Sequence, residues 1–267
     1  MIGYILAILI GLSLGLLGGG GSILTVPILV YVMKMDAKLA IALSLAIVGM
    51  TSLIGVIPHF KNKNVDLKMV LIFGPFAMVG TFGGAKISQF ISGQSQLIFF
   101  AIIMIIAAFF MFRGREEVER ATLEKNSSKK DLFFLALQGI FVGIITGVVG
   151  VGGGFLIVPA LVLLAKSPMK KAVGTSLLLI ALNSLTGFMG YLDQVTVPWE
   201  FLFKFSSCSI VGIFIGSYLV RFISQNTLKK GFAIFLILMG LFILYKNKET
   251  LISKSSMFTV KVQGIYA

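Results

Sequence analysis

A constant offset of 132 residues lays the second half of this chain on the first without a gap. Gly11, Gly15, Gly18, Gly20 and Gly21 fall on Gly143, Gly147, Gly150, Gly152 and Gly153. Pro27 falls on Pro159, Lys38 on Lys170, Ser44 on Ser176, and Ser52, Leu53 and Gly55 on Ser184, Leu185 and Gly187. Gly80 and Gly84 fall on Gly212 and Gly216, and Phe90-Ile91-Ser92 on Phe222-Ile223-Ser224. Residues 11 to 60 alone show 18 identities in 50 positions. Compositional bias does not hold glycine, proline and serine in one register over such a stretch. The chain is an internal duplication, and its fold is built twice on one plan.

Hydropathy says what each half is. The chain is 57% hydrophobic and 12% charged, with a mean hydropathy of +1.02. A soluble domain carries about 25% charged residues, so this chain cannot cover a water-facing surface. Apolar segments fall near 2–17, 22–33, 39–60, 69–91 and 97–112, and again near 132–149, 155–165, 172–192, 197–220 and 231–245. Several approach the roughly 20 residues that span a bilayer, and none shows the alternation of a membrane β-barrel strand. The expected fold is an all-α, multi-pass protein of the cytoplasmic membrane with Gly-rich broken or re-entrant helices. The expected organisation is a first transmembrane repeat (1–112), a charged cytoplasmic linker (113–131), a second repeat (132–245) and a polar tail (246–267). The N-terminus lacks the basic region and cleavage site of a signal peptide and is expected to be retained.

Segments 2–17 and 22–33 are about 24 and 18 Å long as helices, short of roughly 30 Å of hydrocarbon. As a re-entrant hairpin they leave three crossings per half and inverted halves. As one broken crossing they give four crossings and parallel halves. Under inversion one side of the membrane collects 15 Lys and Arg and the other 8. The positive-inside bias favours that arrangement. The net charge of +13 is thus read as topology rather than nucleic-acid binding, and also as an electropositive route for anions.

The glycine tracts are the sharpest local signal. Gly18, Gly19, Gly20 and Gly21, followed by Ser22, and Gly150 with Gly152, Gly153 and Gly154, each precede a short helix reaching Pro27 or Pro159. Glycine is the poorest helix former after proline, and non-helical backbone at membrane depth is tolerated only inside protein or beside a watery cavity. A helix starting there presents free amides and a partial positive charge. Ser22 is placed to cap the first such helix, while its equivalent, Gly154, offers only an amide. The tracts therefore read as breaks where an anion meets backbone. The spaced pairs Gly11/Gly15, Gly80/Gly84 and Gly212/Gly216, with Gly139/Gly143/Gly147, read as close helix packing.

A polar stripe follows in each half. Ser44, Thr51 and Gly55 recur as Ser176, Asn183 and Gly187, on one helical face. Ser52, Ser184 and Thr175 lie beside it. Such groups hydrogen-bond an oxyanion or glue helices together, and Asn183 is the most telling, because an amide within a span finds a specific partner. Asp36, Asp66, Asp193 and Glu200 sit at predicted span ends, and no carboxylate lies well inside a span. Lys86 and Arg221 lie near span ends, placed to snorkel or to attract an anion at a vestibule, and Tyr4, Trp199 and Tyr245 fit interfacial belts. One histidine, His59, and one cysteine, Cys208, build no metal cluster, no disulfide framework and no enzyme signature. No cofactor is expected.

A glycine run followed by "ILTVP" (Ile23–Pro27) or "FLIVP" (Phe155–Pro159), once per half, with "ALSLAI" (Ala42–Ile47) and "AVGTSL" (Ala172–Leu177), resembles the TauE/SafE family of sulfite and sulfonate exporters. The resemblance covers about residues 5–245. It implies a secondary transporter of sulfite, organosulfonates or related sulfur-containing anions. Its implied partners are a small anionic substrate, membrane lipids and a coupling ion, H+ or Na+. Val151 stands opposite Gly19 and Gly154 opposite Ser22, so the two half-sites need not be equivalent. The alternative readings are an anion channel and a non-transporting membrane partner of an assembly system.

Overall fold

The computed structural model describes residues 2–113, 129–164 and 168–248. Its helices are α1 (Ile2–Leu17), α2 (Gly20–Pro27), α3 (Ala37–Lys61), α4 (Leu67–Ile87) and α5 (Gly93–Arg113), then α6 (Lys129–Val149), α7 (Gly154–Pro159), α8 (Met169–Tyr191), α9 (Trp199–Leu219) and α10 (Gln225–Lys246). No strand occurs among the described residues. Most of the 113–131 linker and of the 246–267 tail lies outside them.

Among the described residues six helices are long and apolar enough to cross a membrane, three per half: α3, α4, α5, α8, α9 and α10. Helices α3 and α8 form the centre, with 78% and 72% of their apolar windows buried, against 33% to 44% for the other four. Those outer helices turn large apolar side chains outward, among them Leu71, Val79, Ile106, Phe203 and Leu238, as lipid-facing helices do.

Span ends carry the capping chemistry. Asp36 accepts the amides of Lys38 and Leu39 to start α3, Asp66 accepts the Met69 amide to start α4, and Ser224 accepts the Thr227 amide to start α10. Asp193 pairs with Lys86 and Glu200 with Lys204, both exposed. Lys86 is thus held by a carboxylate rather than snorkelling alone; the Arg221 side chain lies outside what is described.

Glycine positions the helices. Ile8 and Leu12 of α1 lie against Gly212 and Gly216 of α9, so these helices run parallel with backbones in contact. Ala77 and Thr81 of α4 lie in the same way against Gly143 and Gly147 of α6. The two pairings are equivalents under the offset: each half lends its first helix to the other half's fourth. Helices α3 and α8 meet at Gly49 with Leu185 and at Leu45 with Gly187, and so run antiparallel.

The chain reverses at Gly18-Gly19 instead of continuing as a broken rod. Gly20 packs on Ser13 and Leu17, and Gly21 on Ile10 and Leu14, so α2 doubles back along α1. Both short helices continue past their prolines, as the apolar segments 22–33 and 155–165 do, but in one π turn each, Ile28–Val32 and Ala160–Leu164. Proline lacks an N–H and crowds the carbonyl four residues back. The chain widens past it, and Met33 reaches the carbonyl of Ile28.

Candidate functional site at the two helix breaks

The two breaks lie against each other at the middle of the molecule. A side chain on Gly19 would strike the backbone of Gly154, and one on Gly154 would stand 2.7 Å from the Gly19 Cα and 3.1 Å from the Ser22 hydroxyl. All nine residues of the two tracts named as binding residues are buried. In this conformation the glycines serve backbone-to-backbone contact as well as chain reversal, and the bare backbone expected at a cavity is covered.

The breaks differ in conformation. Gly18 and its equivalent Gly150 both take left-handed φ, +70° and +68°. The second tract adds Gly152 and Gly153 at +65° and +66°, a region closed to most side chains. Helix α2 therefore starts at Gly20 and α7 two equivalent positions later, at Gly154, both without a side-chain cap. Ser22 does not cap, contrary to expectation: it sits inside α2 and donates to the Gly19 carbonyl at 2.6 Å. With α2 starting at Gly20, Ser22 falls beyond the cap position and its hydroxyl faces back down the helix.

Central helices brace the breaks across the halves. Ser44 of α3 donates to the carbonyl of Gly150 at 3.1 Å. Its equivalent, Ser176 of α8, donates to Val173 at 2.8 Å and reaches the carbonyl of Gly18 at 3.5 Å. Within the second half, Ser184 donates to the Gly152 carbonyl at 3.3 Å. These protons go to carbonyls, so Ser44 and Ser176 act here on the breaks. Thr175 accepts the Asp66 amide at 2.9 Å and ties the loop before α4 to the start of α8.

Thr51 and Asn183 are different. They occupy equivalent positions on α3 and α8, are fully buried, and neither the Thr51 hydroxyl nor either amide atom of Asn183 has a hydrogen-bond partner among the described residues. The hydroxyls of Ser52 on α3, Thr146 on α6 and Ser206 and Ser209 on α9 share that condition. An unsatisfied buried polar group costs about 1–3 kcal/mol, so each such group calls for an explanation. The sequence stripe marked Thr51 and Asn183; Thr146, Ser206 and Ser209 it missed, since lone hydroxyls in apolar runs stand out only once their helices are placed.

Comparison with known proteins bears on this architecture. The sequence profile described as sulfite exporter TauE/SafE matches residues 4–243. The chain belongs to the TauE/SafE family. A TauE/SafE relative from Xylella fastidiosa (strain Temecula1), described as a probable membrane transporter protein, is 31% identical over 248 residues, which cover 92% of this chain and 95% of the relative. The probable membrane transporter protein YdhB of Bacillus subtilis is 27% identical over 243 residues, 89% and 97% of the two chains. One from Methanocaldococcus jannaschii is 32% identical over 202 residues, 72% and 73% of the two. No solved structure matches. As a TauE/SafE protein with six candidate spans, the chain is a multi-pass protein of the cytoplasmic membrane in a family of membrane transporters.

Proposed function

We propose that this TauE/SafE chain is a secondary transporter of a small anion, in the class of sulfite, organosulfonates and related sulfur-containing anions, and that it works by alternating access. The observation that carries the reading is the unpaired pair Thr51 and Asn183, at equivalent positions on the two most buried helices. The substrate class follows from the family description.

In this reading Thr51 and Asn183 donate to the anion. The amides of Gly18, Gly19, Gly20, Gly21 and Ser22, and of Gly150, Gly152, Gly153 and Gly154, add donors when the breaks part. Ser44 and Ser176 orient the site by bracing the breaks. The halves lie in opposite orientations. Three candidate spans per half and the antiparallel α3 and α8 support this, and the Lys/Arg-rich end is cytoplasmic. Coupling to H+ or Na+ runs through backbone carbonyls or the substrate's own proton.

The test is a stability–flux pair. Asn183→Leu removes unsatisfied polar atoms and a proposed ligand donor together. It is expected to raise the thermal stability of the purified protein by about 1–3 kcal/mol equivalent, and to lower sulfite or taurine flux in proteoliposomes about 10- to 100-fold. Lower stability with undiminished flux would make Asn183 interhelical glue and remove it from the site. Conductance far above carrier turnover in the wild type would make the protein a channel.

A further inference from the structure

A cavity of about 210 Å³ opens at one end of the central helices, lined by His59, Asn62, Asn64, Lys170 and Val220. It lies where the end of α3, the start of α8 and the turn after α9 converge. The offset assigns each lining residue a counterpart at the opposite end: Tyr191, Gln194, Thr196, Lys38 and Ser88.

At that opposite end the counterparts are drawn into hydrogen bonds. Tyr191 donates to the carbonyl of Gly147 at 3.1 Å. Gln96 reaches across from α5 to the Val148 carbonyl at 2.7 Å and to the Tyr191 hydroxyl at 3.0 Å. Gln194 donates to Ala85 at 3.0 Å, Ser88 to Ala85 at 2.6 Å, and Lys38 to the Gln89 carbonyl at 3.1 Å. Four of the five counterparts are thus tied into backbone, and the latch residue Gln96 has the apolar Leu228 as its equivalent at the cavity end. One plan, used twice, holds a cavity between α3 and α8 at one end and a hydrogen-bonded network around Tyr191 at the other.

The open end has an anion's chemistry. Lys170 lines it, Lys61 and Lys63 flank Asn62, and Lys171 follows Lys170. The carboxylate nearest in sequence, Asp66, is turned to the Met69 amide. His59, Gly55 and Thr51 succeed one another at four-residue spacing on one face of α3. The unpaired Thr51 hydroxyl lies about 12 Å further along that face, with Ile213 of α9 packed on Gly55 between it and the cavity.

We propose that this cavity is an anion-binding vestibule on the Lys/Arg-rich, cytoplasmic face, and that the structure stands open to that face while the Tyr191–Gln96 latch closes the other. The proposal rests on the transport reading above and adds the entrance, its lining and the side on which it opens.

The experiment uses the full chain with Cys208→Ser and either Asn62→Cys at the cavity or Gln194→Cys at the sealed end. Labelling with a membrane-impermeant maleimide is compared in inside-out and right-side-out vesicles, with and without sodium sulfite, each rate being divided by that of glutathione in the same mixture because sulfite itself adds to maleimide. Asn62→Cys is expected to label from the cytoplasmic face and at least about threefold more slowly with sulfite present; Gln194→Cys is expected to resist labelling from either face. In parallel, Lys170→Gln is expected to raise the half-saturating sulfite concentration for flux about tenfold, with Lys170→Arg restoring it at equal membrane abundance. Flux by the wild type with unchanged half-saturation in Lys170→Gln and no sulfite protection overturns the vestibule and leaves transport standing. Sulfite protection without flux keeps the vestibule and overturns transport. Labelling of Asn62→Cys from the outer face alone overturns the assigned side.

Discussion

The two helix breaks descend from one sequence plan and have become different structures. The first is short: one left-handed glycine, Gly18, beside the Ser176 hydroxyl, then α2 from Gly20, with Gly20 and Gly21 seated against Leu17, Leu14 and the backbone of Ser13 and Ile10. The second is longer and hydroxyl-lined: three left-handed glycines, with Gly152 beside Ser184, Gly153 beside Thr146 and Gly150 beside Tyr191. A repeat supplies the same backbone geometry twice. The side chains around each copy then decide whether it is a hinge packed in apolar surroundings or a polar pocket wall. Leu14 and its equivalent Thr146 show the divergence in one pair: the leucine fills space, whereas the threonine brings a buried hydroxyl without a partner.

Matched substitutions test that difference, the largest effect coming from the glycines. Gly152→Ala would force a side chain into left-handed backbone and to within 2.7 Å of the Ser184 hydroxyl. It is expected to cost about 2–4 kcal/mol, read as a large drop in melting temperature in detergent. Its equivalent, Gly20→Ala, lies in helical backbone against a movable Leu17 methyl and the Ser13 carbonyl. Helix propensity favours alanine there by about 1 kcal/mol, so the change is expected to be within about 1 kcal/mol of neutral. Equal losses for the two would show the breaks to be alike after all.

The braces sharpen the comparison on a smaller scale. Ser44→Ala removes a cross-half bond of 3.1 Å to the second break, and about 1 kcal/mol of stability is expected to go with it. Ser176→Ala gives up a 3.5 Å approach and a local bond to Val173. Its loss is expected to be about half as large or less, measured by the same thermal denaturation. The reverse ranking would place the tighter cross-half link at the first break.

The smallest effect separates Ser52 from Ser184. Ser184 has the Gly152 carbonyl as acceptor because the second break extends that far; the equivalent carbonyl, of Gly20, belongs to a helix, and Ser52 has no partner among the described residues. Ser184→Ala is expected to destabilise by about 0.5–1 kcal/mol, whereas Ser52→Ala is expected to be neutral or stabilising. Destabilisation by both would mean that Ser52 has an acceptor in the membrane-embedded protein.

Much of the fold was legible in particular residues. The spaced glycines were read as close packing because nothing larger lets two backbones touch, and Gly11, Gly80, Gly143 and Gly212 do bring helices into contact. The span-end aspartates were read as lying outside the hydrocarbon, and Asp36 and Asp66 cap helices there. The π turns after Pro27 and Pro159 were not legible, since a proline announces a missing bond but not how the chain recovers from it. The cavity at His59 was equally hidden: its lining comes from three stretches more than 100 residues apart at the extremes, and their union depends on how α3 meets α8.

By itself the sequence determined that this protein is helical, lies in a membrane and is one unit written twice. Hydropathy and an unbroken register are local quantities that no packing alters. Only the tertiary structure decided which copy of each motif is braced, which is unpaired and at which end of the central helices the His59 cavity lies. Those outcomes depend on what the other half presents across the contact, and a residue's own sequence neighbours do not contain it.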